Sequence, residues 1–293
     1  MVDGLVEAKP VIRAFKKKRK MNLKQLRSQL NPPWPVLDMH VHPLDCFGFY
    51  SVSSVKEDAR LLTESARRAG VTKMCLFSLY RTCPREPSVV ECRMANDYVL
   101  AMQDMAAGIF LPFCYVNPMY PQEAVTEINR CVGKKRMYGI KLWVARRATD
   151  PGLNPILEKA VELDVLVLQH AWIKTTGNLP GESFPSDVAD LANRHPQARI
   201  IMAHLNGIGL RGLEDVADSP NISVDTSGGD AESGMVETAV KTLGAKRVVF
   251  GSDAPIRHFS GQLAKVLATD LPETVKQDIL WNNAVRLLPK WSI

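Results

Sequence analysis

The segment VLDMHVH, residues 36–42, is the first of a series of short apolar runs that alternate with longer amphipathic stretches along the chain. A run of this kind, bounded by turn residues, is typical of a buried β-strand. Seven similar runs follow it, so we predict eight strands. Their predicted bounds are 36–41, 73–77, 109–115, 138–142, 165–168, 199–202, 222–224 and 247–250.

Helical patterns lie between these runs and after the last one. They include residues 57–69, 91–107, 121–131, 155–163, 185–194, 234–243, 260–268 and 272–288. Alternation of strands and helices favours parallel pairing, because each crossover needs a helix to return the chain. Eight such units predict an α/β fold, a closed (β/α)8 or TIM barrel. An open doubly wound sheet is the alternative, but no Gly-x-Gly-x-x-Gly loop follows the first strand.

The positive charge of the chain is confined to its N-terminal part. The formal net charge is +6, which suggests an anionic partner. Residues 1–35 hold nine Lys and Arg and two acids, whereas residues 36–293 have a net charge of −1. The Pro-rich stretch NPPWP, residues 31–35, cannot continue a helix. We therefore predict a basic, helical N-terminal arm over residues 1–35 and a barrel of ordinary charge over residues 36–293.

Cysteine usage and hydropathy indicate a cytoplasmic protein. The chain has six cysteines without a CxxC pair, which favours reduced thiols over a disulfide framework. No apolar run reaches the length of about 18 residues that a membrane span needs, so no membrane partner is expected. The apolar segment of the N-terminus is interrupted by Arg13, which argues against a signal peptide.

Polar residues follow four of the predicted strands. A period of two places His40 and His42 on one face of the first strand and turns Leu37, Met39 and Val41 toward the helices. The fifth, sixth and eighth runs lead to His170, His204 and Asp253. The carboxyl ends of barrel strands meet at one face, so these side chains should converge. Imidazole and carboxylate are ligands for Zn, with Mn or Fe as alternatives, so we predict a centre of one or two divalent ions.

These motifs resemble the amidohydrolase superfamily, and in detail its amidohydrolase-related branch of TIM-barrel metal-dependent hydrolases. The likeness covers roughly residues 36–288. The segments that carry it are LDMHVHP (37–43), GIKLW (139–143), LQHAW (168–172), IIMAHLNG (200–207), VDTSG (224–228), VVFGSDAP (248–255) and ILWNNAVRLL (279–288).

The resemblance implies a role for each matching position. His40, His42, His170 and Asp253 would be metal ligands, with Asp253 also accepting the proton of a metal-activated water. His204 would bind a second metal or orient the water and stabilise the transition state. Lys141 would be a carboxylated bridge between two metals; a salt-bridged lysine or a contact to an anionic substrate is the alternative.

The resemblance leaves several functions open. The first is a metal-dependent hydrolase of a small carboxylic, ester, lactone or amide substrate. A zinc-dependent decarboxylase of an aromatic or dicarboxylic acid is the alternative on the same barrel. A TatD-type deoxyribonuclease is disfavoured, because that type has a strand-four Glu where this chain has Lys141, and the barrel lacks the basic surplus that nucleic acid needs. A non-catalytic barrel is the last alternative.

The expected partner is a small molecule. Three basic residues in loops after the predicted strands are candidates for binding a substrate carboxylate: Arg81, Lys174 and Arg257. The sequence leaves a homodimer open.

Overall fold

Eight parallel strands, each hydrogen-bonded to the next in chain order, form the centre of the molecule. The computed structural model describes residues 22, 31–134 and 137–289. The strands are β1 (Leu37–Val41), β2 (Lys73–Leu76), β3 (Phe110–Tyr115), β4 (Gly139–Leu142), β5 (Leu166–Gln169), β6 (Ile200–Met202), β7 (Ile222–Asp225) and β8 (Val248–Val249). All eight predicted strands are confirmed.

Backbone hydrogen bonds from β1 and the residue after it to the segment that follows β8 complete the ring. The amide of Met39 donates to the carbonyl of Phe250 (2.9 Å), and the amide of His42 donates to the carbonyl of Ala254 (2.7 Å). The predicted (β/α)8 barrel is therefore the observed fold.

The helices lie between consecutive strands and after β8. They are α1 (Val55–Ala69), α2 (Val89–Met105), α3 (Pro121–Ile128), α4 (Asn154–Glu162), α5 (Pro185–Arg194), α6 (Leu205–Asp215), α7 (Met235–Leu243), α8 (Phe259–Leu267), α9 (Glu273–Gln277) and α10 (Asn283–Leu287). Short π-helical segments follow α3 (Asn129–Lys134) and α9 (Asp278–Asn282). Within the described ranges, no helix combines the length and the apolar character that a membrane crossing requires.

One helix, α6, is absent from the helical patterns found in the sequence. It contains Gly207, Gly209 and Gly212, which lower helix propensity and weaken the apolar period. Close packing requires glycine at position 207, because a Cβ there would lie 2.7 Å from the ring of Trp172. Tertiary contact with Trp172 thus overrides the local preference of this segment.

The buried side chains form an inner and an outer layer. Cys75, Phe77 and Leu111 belong to the cluster inside the barrel, while the alternate strand residues pack under the helices. In β1 the pairing with β2 is irregular between Asp38 and Val41. Leu37 and Met39 therefore join the inner cluster, and Val41 joins the outer one. The prediction that all three face the helices is wrong for Leu37 and Met39, because the irregularity breaks the strict period of two.

The predicted basic arm lies outside the described residues, apart from Asn22 and residues 31–35. The compact unit that contains the barrel begins at Pro32.

The tight packing of the barrel interior gives a first prediction, at Gly139 in β4. A Cβ at this position would lie 2.7 Å from the fully buried ring of Phe113. We expect Gly139→Ala to lower the free energy of unfolding by about 1–3 kcal/mol, since the interior cannot accept another carbon without displacing the ring. Urea denaturation measures this change.

The matched control is Gly261→Ala in α8, where nothing lies within 4 Å of the added carbon. This variant should gain about 0.5–1 kcal/mol, because alanine is favoured over glycine inside a helix. Equal effects of the two substitutions would contradict the packing argument.

Candidate metal centre

The predicted histidines and Asp253 lie together at the carboxyl ends of the strands, on a cavity of about 210 Å³. The cavity is lined by all six candidates for the metal centre: His40, His42, Lys141, His170, His204 and Asp253. All six are buried. The structure thus brings together side chains that span more than two hundred positions of the sequence.

The two histidines of the first strand are each held by the ring nitrogen that faces away from the cavity centre. His40 donates from Nδ1 to the carboxylate of Asp225 (2.8 Å). His42 donates from Nδ1 to the carbonyl of Phe77 (3.1 Å). These bonds fix the tautomer, so that Nε2 of each ring carries the free lone pair. Both Nε2 atoms lie 3.4 Å from Oδ1 of Asp253.

The other two histidines are held in the same way. His170 donates from Nε2 to Glu182 (2.8 Å), which leaves the lone pair on Nδ1. The hydroxyl of Ser227 donates to Asp225 and therefore accepts from Nδ1 of His204 (2.9 Å). The lone pair of His204 is thus on Nε2.

These assignments set two lone pairs against each other. Nδ1 of His170 and Nε2 of His204 are 3.0 Å apart, with no proton left for either of them. Such a contact is repulsive unless a cation lies against both nitrogens. Donor atoms of His40, His204 and Asp253 also lie within 4.8 Å of one another. This group of nitrogen and carboxylate donors fits a divalent Zn, Mn or Fe ion.

Burial keeps the four imidazoles neutral. Loss of hydration is the largest effect and lowers the pKa of His40, His42, His170 and His204. The charge of Lys141 lowers the pKa of His40 further. Neutral rings keep the lone pairs that a metal ion requires.

Asp225 joins three strands of the centre. Besides His40, its carboxylate accepts from the backbone amides of His204 (2.9 Å) and Ser227 (3.0 Å). The backbone of His204 has a φ of 75°, a left-handed conformation that these bonds hold in place. Asp225 therefore positions two histidines from different strands.

Asp38 connects the backbone of the first candidate ligand, His40, to the segment that carries the last one, Asp253. Its Oδ1 accepts from the amides of His40 (3.0 Å) and Ser252 (2.9 Å). Burial raises its pKa to about 7, against the opposing effect of these bonds. The side chain acts on the ligands through their backbone.

Glu182, in the loop after β5, was not predicted. Its carboxylate accepts from His170, from Nζ of Lys174 (2.7 Å) and from the amide of Leu179 (2.8 Å). Burial raises its pKa, but these bonds outweigh that effect and bring it to about 2, so the group is ionised. Nothing in the local sequence distinguishes Glu182 from other loop carboxylates, since its partners come from folding of the loop.

Lys141 lies in β4, with 1% of its surface exposed. Its Nζ lies 4.8 Å above the ring of Phe77. In the described part of the chain, no atom accepts a hydrogen bond from this nitrogen. Burial lowers its pKa to about 7. The amine therefore faces the cavity without a fixed partner.

The three candidates for binding the substrate differ in position. Lys174 and Arg257 line the cavity. Arg81 does not: its largely exposed guanidinium pairs with Asp45 (3.1 Å). The structure thus separates Arg81 from the other two candidates.

Three aromatic side chains share the cavity with the candidate ligands. Phe47, Trp143 and Trp172 line the cavity together with the histidines. The ring of Phe47 meets that of His42 edge-on at 4.9 Å, and the ring of Trp172 lies 5.0 Å from that of His204. No spacing or motif in the sequence marks these three residues as part of a site, although both tryptophans fall within the segments that carry the resemblance.

Solved structures of similar fold include enzymes with bound metal. A 2,6-dihydroxybenzoate decarboxylase from Rhizobium has 18% identity and a TM-score of 0.67, covering 86% of this chain and 97% of that chain. A dihydroxybenzoic acid decarboxylase from Polaromonas sp. JS666, with bound manganese and 2-nitroresorcinol, has 18% identity and a TM-score of 0.62, covering 86% and 96%. A 4-oxalomesaconate hydratase from Rhodopseudomonas palustris has 16% identity and a TM-score of 0.64, covering 87% and 96%. At this identity the likeness establishes the fold.

Comparison of the sequence with known proteins and with family models identifies its family. A search among curated proteins finds no match. The amidohydrolase family model, in contrast, matches residues 37–290, which include all eight strands and every candidate ligand. The chain belongs to the amidohydrolase family.

Proposed function

We propose that this protein is a metal-dependent decarboxylase of a small aromatic carboxylic acid. The observation that carries the proposal is a cavity lined both by metal-binding donors and by three aromatic side chains, Phe47, Trp143 and Trp172. Aromatic side chains favour a flat apolar ring, and a cation held by the donors would favour a carboxylate. The similar folds of two decarboxylases and a hydratase support this choice over the hydrolase that the sequence analysis put first.

His40, His42, His170 and Asp253 would hold the metal, and His204, whose Nε2 lies 3.0 Å from Nδ1 of His170, would contact the same ion or bind a second one. A bound divalent ion would supply positive charge beside the substrate and stabilise negative charge that develops as carbon dioxide leaves. Zinc is the ion predicted from the sequence, and the manganese of the Polaromonas relative supports Mn as the alternative.

The reaction needs one proton at the carbon that loses carbon dioxide. The carbon–carbon bond to the carboxylate breaks, and a carbon–hydrogen bond forms in its place. Two carboxyl groups line the cavity, Asp253 and Glu182. Glu182 is held ionised by its bonds to His170 and Lys174. We therefore assign the proton to Asp253, which would deliver it and take up another from solvent.

Cationic side chains would orient the acid in the cavity. Lys141 faces the cavity with a free amine, and Nε of Arg257 is buried without a hydrogen-bond partner among the described residues. Either group can bind a carboxylate or a ring hydroxyl. Carboxylation of Lys141 stays a prediction, which an added carboxyl group in the intact mass would support.

The cysteines support a reducing compartment such as the cytoplasm. All six are free thiols, and five of them are buried.

Product analysis across a panel of acids gives the second prediction. We expect the metal-loaded protein to release one carbon dioxide per hydroxybenzoic acid consumed, and to leave matched esters, lactones and amides intact. A chelator should abolish the release, and Mn²⁺ or Zn²⁺ should restore it. Headspace carbon dioxide and the aromatic product are measured together. Hydrolysis without carbon dioxide release would replace the proposal with the hydrolase alternative.

A third prediction concerns Glu182. In Glu182→Gln, the amide can donate to Nε2 of His170 and thereby move the proton of that ring to Nδ1, where it opposes the metal. We expect metal affinity to fall by about 10- to 100-fold, as measured by titration calorimetry.

The matched control is Glu162→Gln, an exposed carboxylate paired with Lys159. Its metal affinity should equal that of the wild type. Unchanged affinity in Glu182→Gln would remove the role assigned to the bond between Glu182 and His170.

A fourth prediction tests the proton donor. We expect Asp253→Asn to lower kcat for carbon dioxide release by at least about 10²-fold, since an amide cannot deliver the proton. Metal content, measured by inductively coupled plasma mass spectrometry, separates loss of the proton donor from loss of the metal ion. Asp190→Asn, at a half-exposed carboxylate, is the control. A metal-loaded Asp253→Asn with wild-type turnover would disprove the assignment.

A further inference from the structure

Two cysteines from different loops meet beside the cavity. Cys46 lies after β1 and Cys83 lies after β2, and their sulfur atoms are 3.2 Å apart. Both thiols also lie near the carbonyl of Tyr80, at 3.5 Å from Cys46 and 3.3 Å from Cys83. A disulfide bond is about 2.0 Å long, so the sulfur atoms need to approach by only about 1 Å.

The two thiols differ in reactivity. Cys46 is 1% exposed, and burial raises its pKa well above the ordinary value. Cys83 is partly exposed, and its hydrogen bond with Cys46 lowers its pKa. The thiolate is the nucleophile in thiol chemistry. Cys83 therefore has the exposure and the acidity of an attacking thiol, while Cys46 is a protected second thiol at contact distance.

The backbone around the pair is held in an unusual conformation. Phe47, Tyr80 and Cys83 all have a positive φ, of 69°, 68° and 46°. Residues with a side chain avoid this region unless the surrounding structure enforces it. The fold thus fixes the loops after β1 and β2 so that their two thiols face each other.

We propose that Cys46 and Cys83 form a reversible disulfide when the protein meets a hydroperoxide. The thiolate of Cys83 attacks a peroxide oxygen and becomes a sulfenic acid, as the oxygen–oxygen bond breaks. The sulfur of Cys46 then attacks the sulfur of Cys83 while its proton passes to the departing hydroxyl group, so the sulfur–sulfur bond forms, the sulfur–oxygen bond breaks and water leaves. For hydrogen peroxide, two thiols and one peroxide give one disulfide and two waters. The sulfurs supply the two electrons, and a dithiol reverses the step.

The disulfide would change the shape of the cavity by moving residues that line it. Phe47 follows Cys46 directly and touches the ring of His42, and Leu79, near Cys83, lines the same cavity. A bond between the two loops would shift these residues. Displacement by about 1 Å can cost up to about 10²-fold in rate. We therefore expect oxidation to lower kcat/KM by at least about tenfold, an effect that rests on the proposed decarboxylase function.

The test of the disulfide itself needs no substrate. The metal-loaded full chain is treated with hydrogen peroxide, unfolded in an alkylating agent and digested, and the peptides are identified by mass spectrometry. We expect a cross-linked peptide pair containing Cys46 and Cys83, four alkylated cysteines per chain, and recovery of all six after dithiothreitol. Six alkylated cysteines after oxidation, or a cross-link between other cysteines, would overturn the proposal.

Single variants separate the two thiols. Cys83→Ser should keep the basal activity and resist peroxide, whereas Cys46→Ser should stop at a sulfenic acid on Cys83 that dimedone traps. Cys92→Ser is the matched control, because Cys92 is also buried but lies outside the pair of touching sulfur atoms; it should form the disulfide like the wild type. If peroxide consumed thiols in Cys83→Ser as fast as in the wild type, Cys83 would not be the attacking thiol. If the chain has no decarboxylase activity, the cross-link still decides whether the disulfide forms.

Discussion

The facing lone pairs of the cavity are the constraint on which the rest of the structure depends. Nδ1 of His170 and Nε2 of His204 meet at 3.0 Å, and Nε2 of His40 and of His42 lies 3.4 Å from the carboxylate of Asp253. Acceptors at these distances repel one another without a cation between them. The fold opposes this repulsion by closing the barrel, where the amide of Asp253 donates to the carbonyl of His40 (2.8 Å). That bond joins the first and last candidate ligands of the chain.

Charged side chains around the cavity hold the histidine rings so that their lone pairs stay in place. Asp225 and Glu182 each accept a hydrogen bond from a histidine ring nitrogen, and the charge of Glu182 is paired with that of Lys174. Buried carboxylates of this kind are costly unless they are paired or bonded. Each one here makes several hydrogen bonds, which offset the free-energy cost of burying the charge. The same bonds hold the histidines in one tautomer. The proposed metal binding and the stability of this face of the barrel therefore involve the same side chains.

The comparison of β1 and α6 shows where prediction from the sequence succeeds and fails. The HxH spacing predicted that His40 and His42 line one site, and both line the cavity. The same period of two failed for Leu37 and Met39, because the irregular pairing of β1 depends on the neighbouring strand. In α6, three glycines conceal the helix, and one of them, Gly207, is required because a Cβ there would meet the ring of Trp172. Local sequence patterns thus predict most strands and helices. The irregular pairing of β1 and the glycine-rich sequence of α6 depend on contacts with neighbouring elements, which no local pattern shows.

By itself the sequence determined the eight strands, the barrel and the polar residues at the strand ends, because periodicity and burial are local properties that residue types encode directly. Tertiary structure alone decided which ring nitrogen faces the cavity, the role of Glu182 and the contact between Cys46 and Cys83. These features join loops far apart in the chain, and their geometry follows from how loops of different length fold over the strand ends. No spacing in the sequence encodes a distance of that kind.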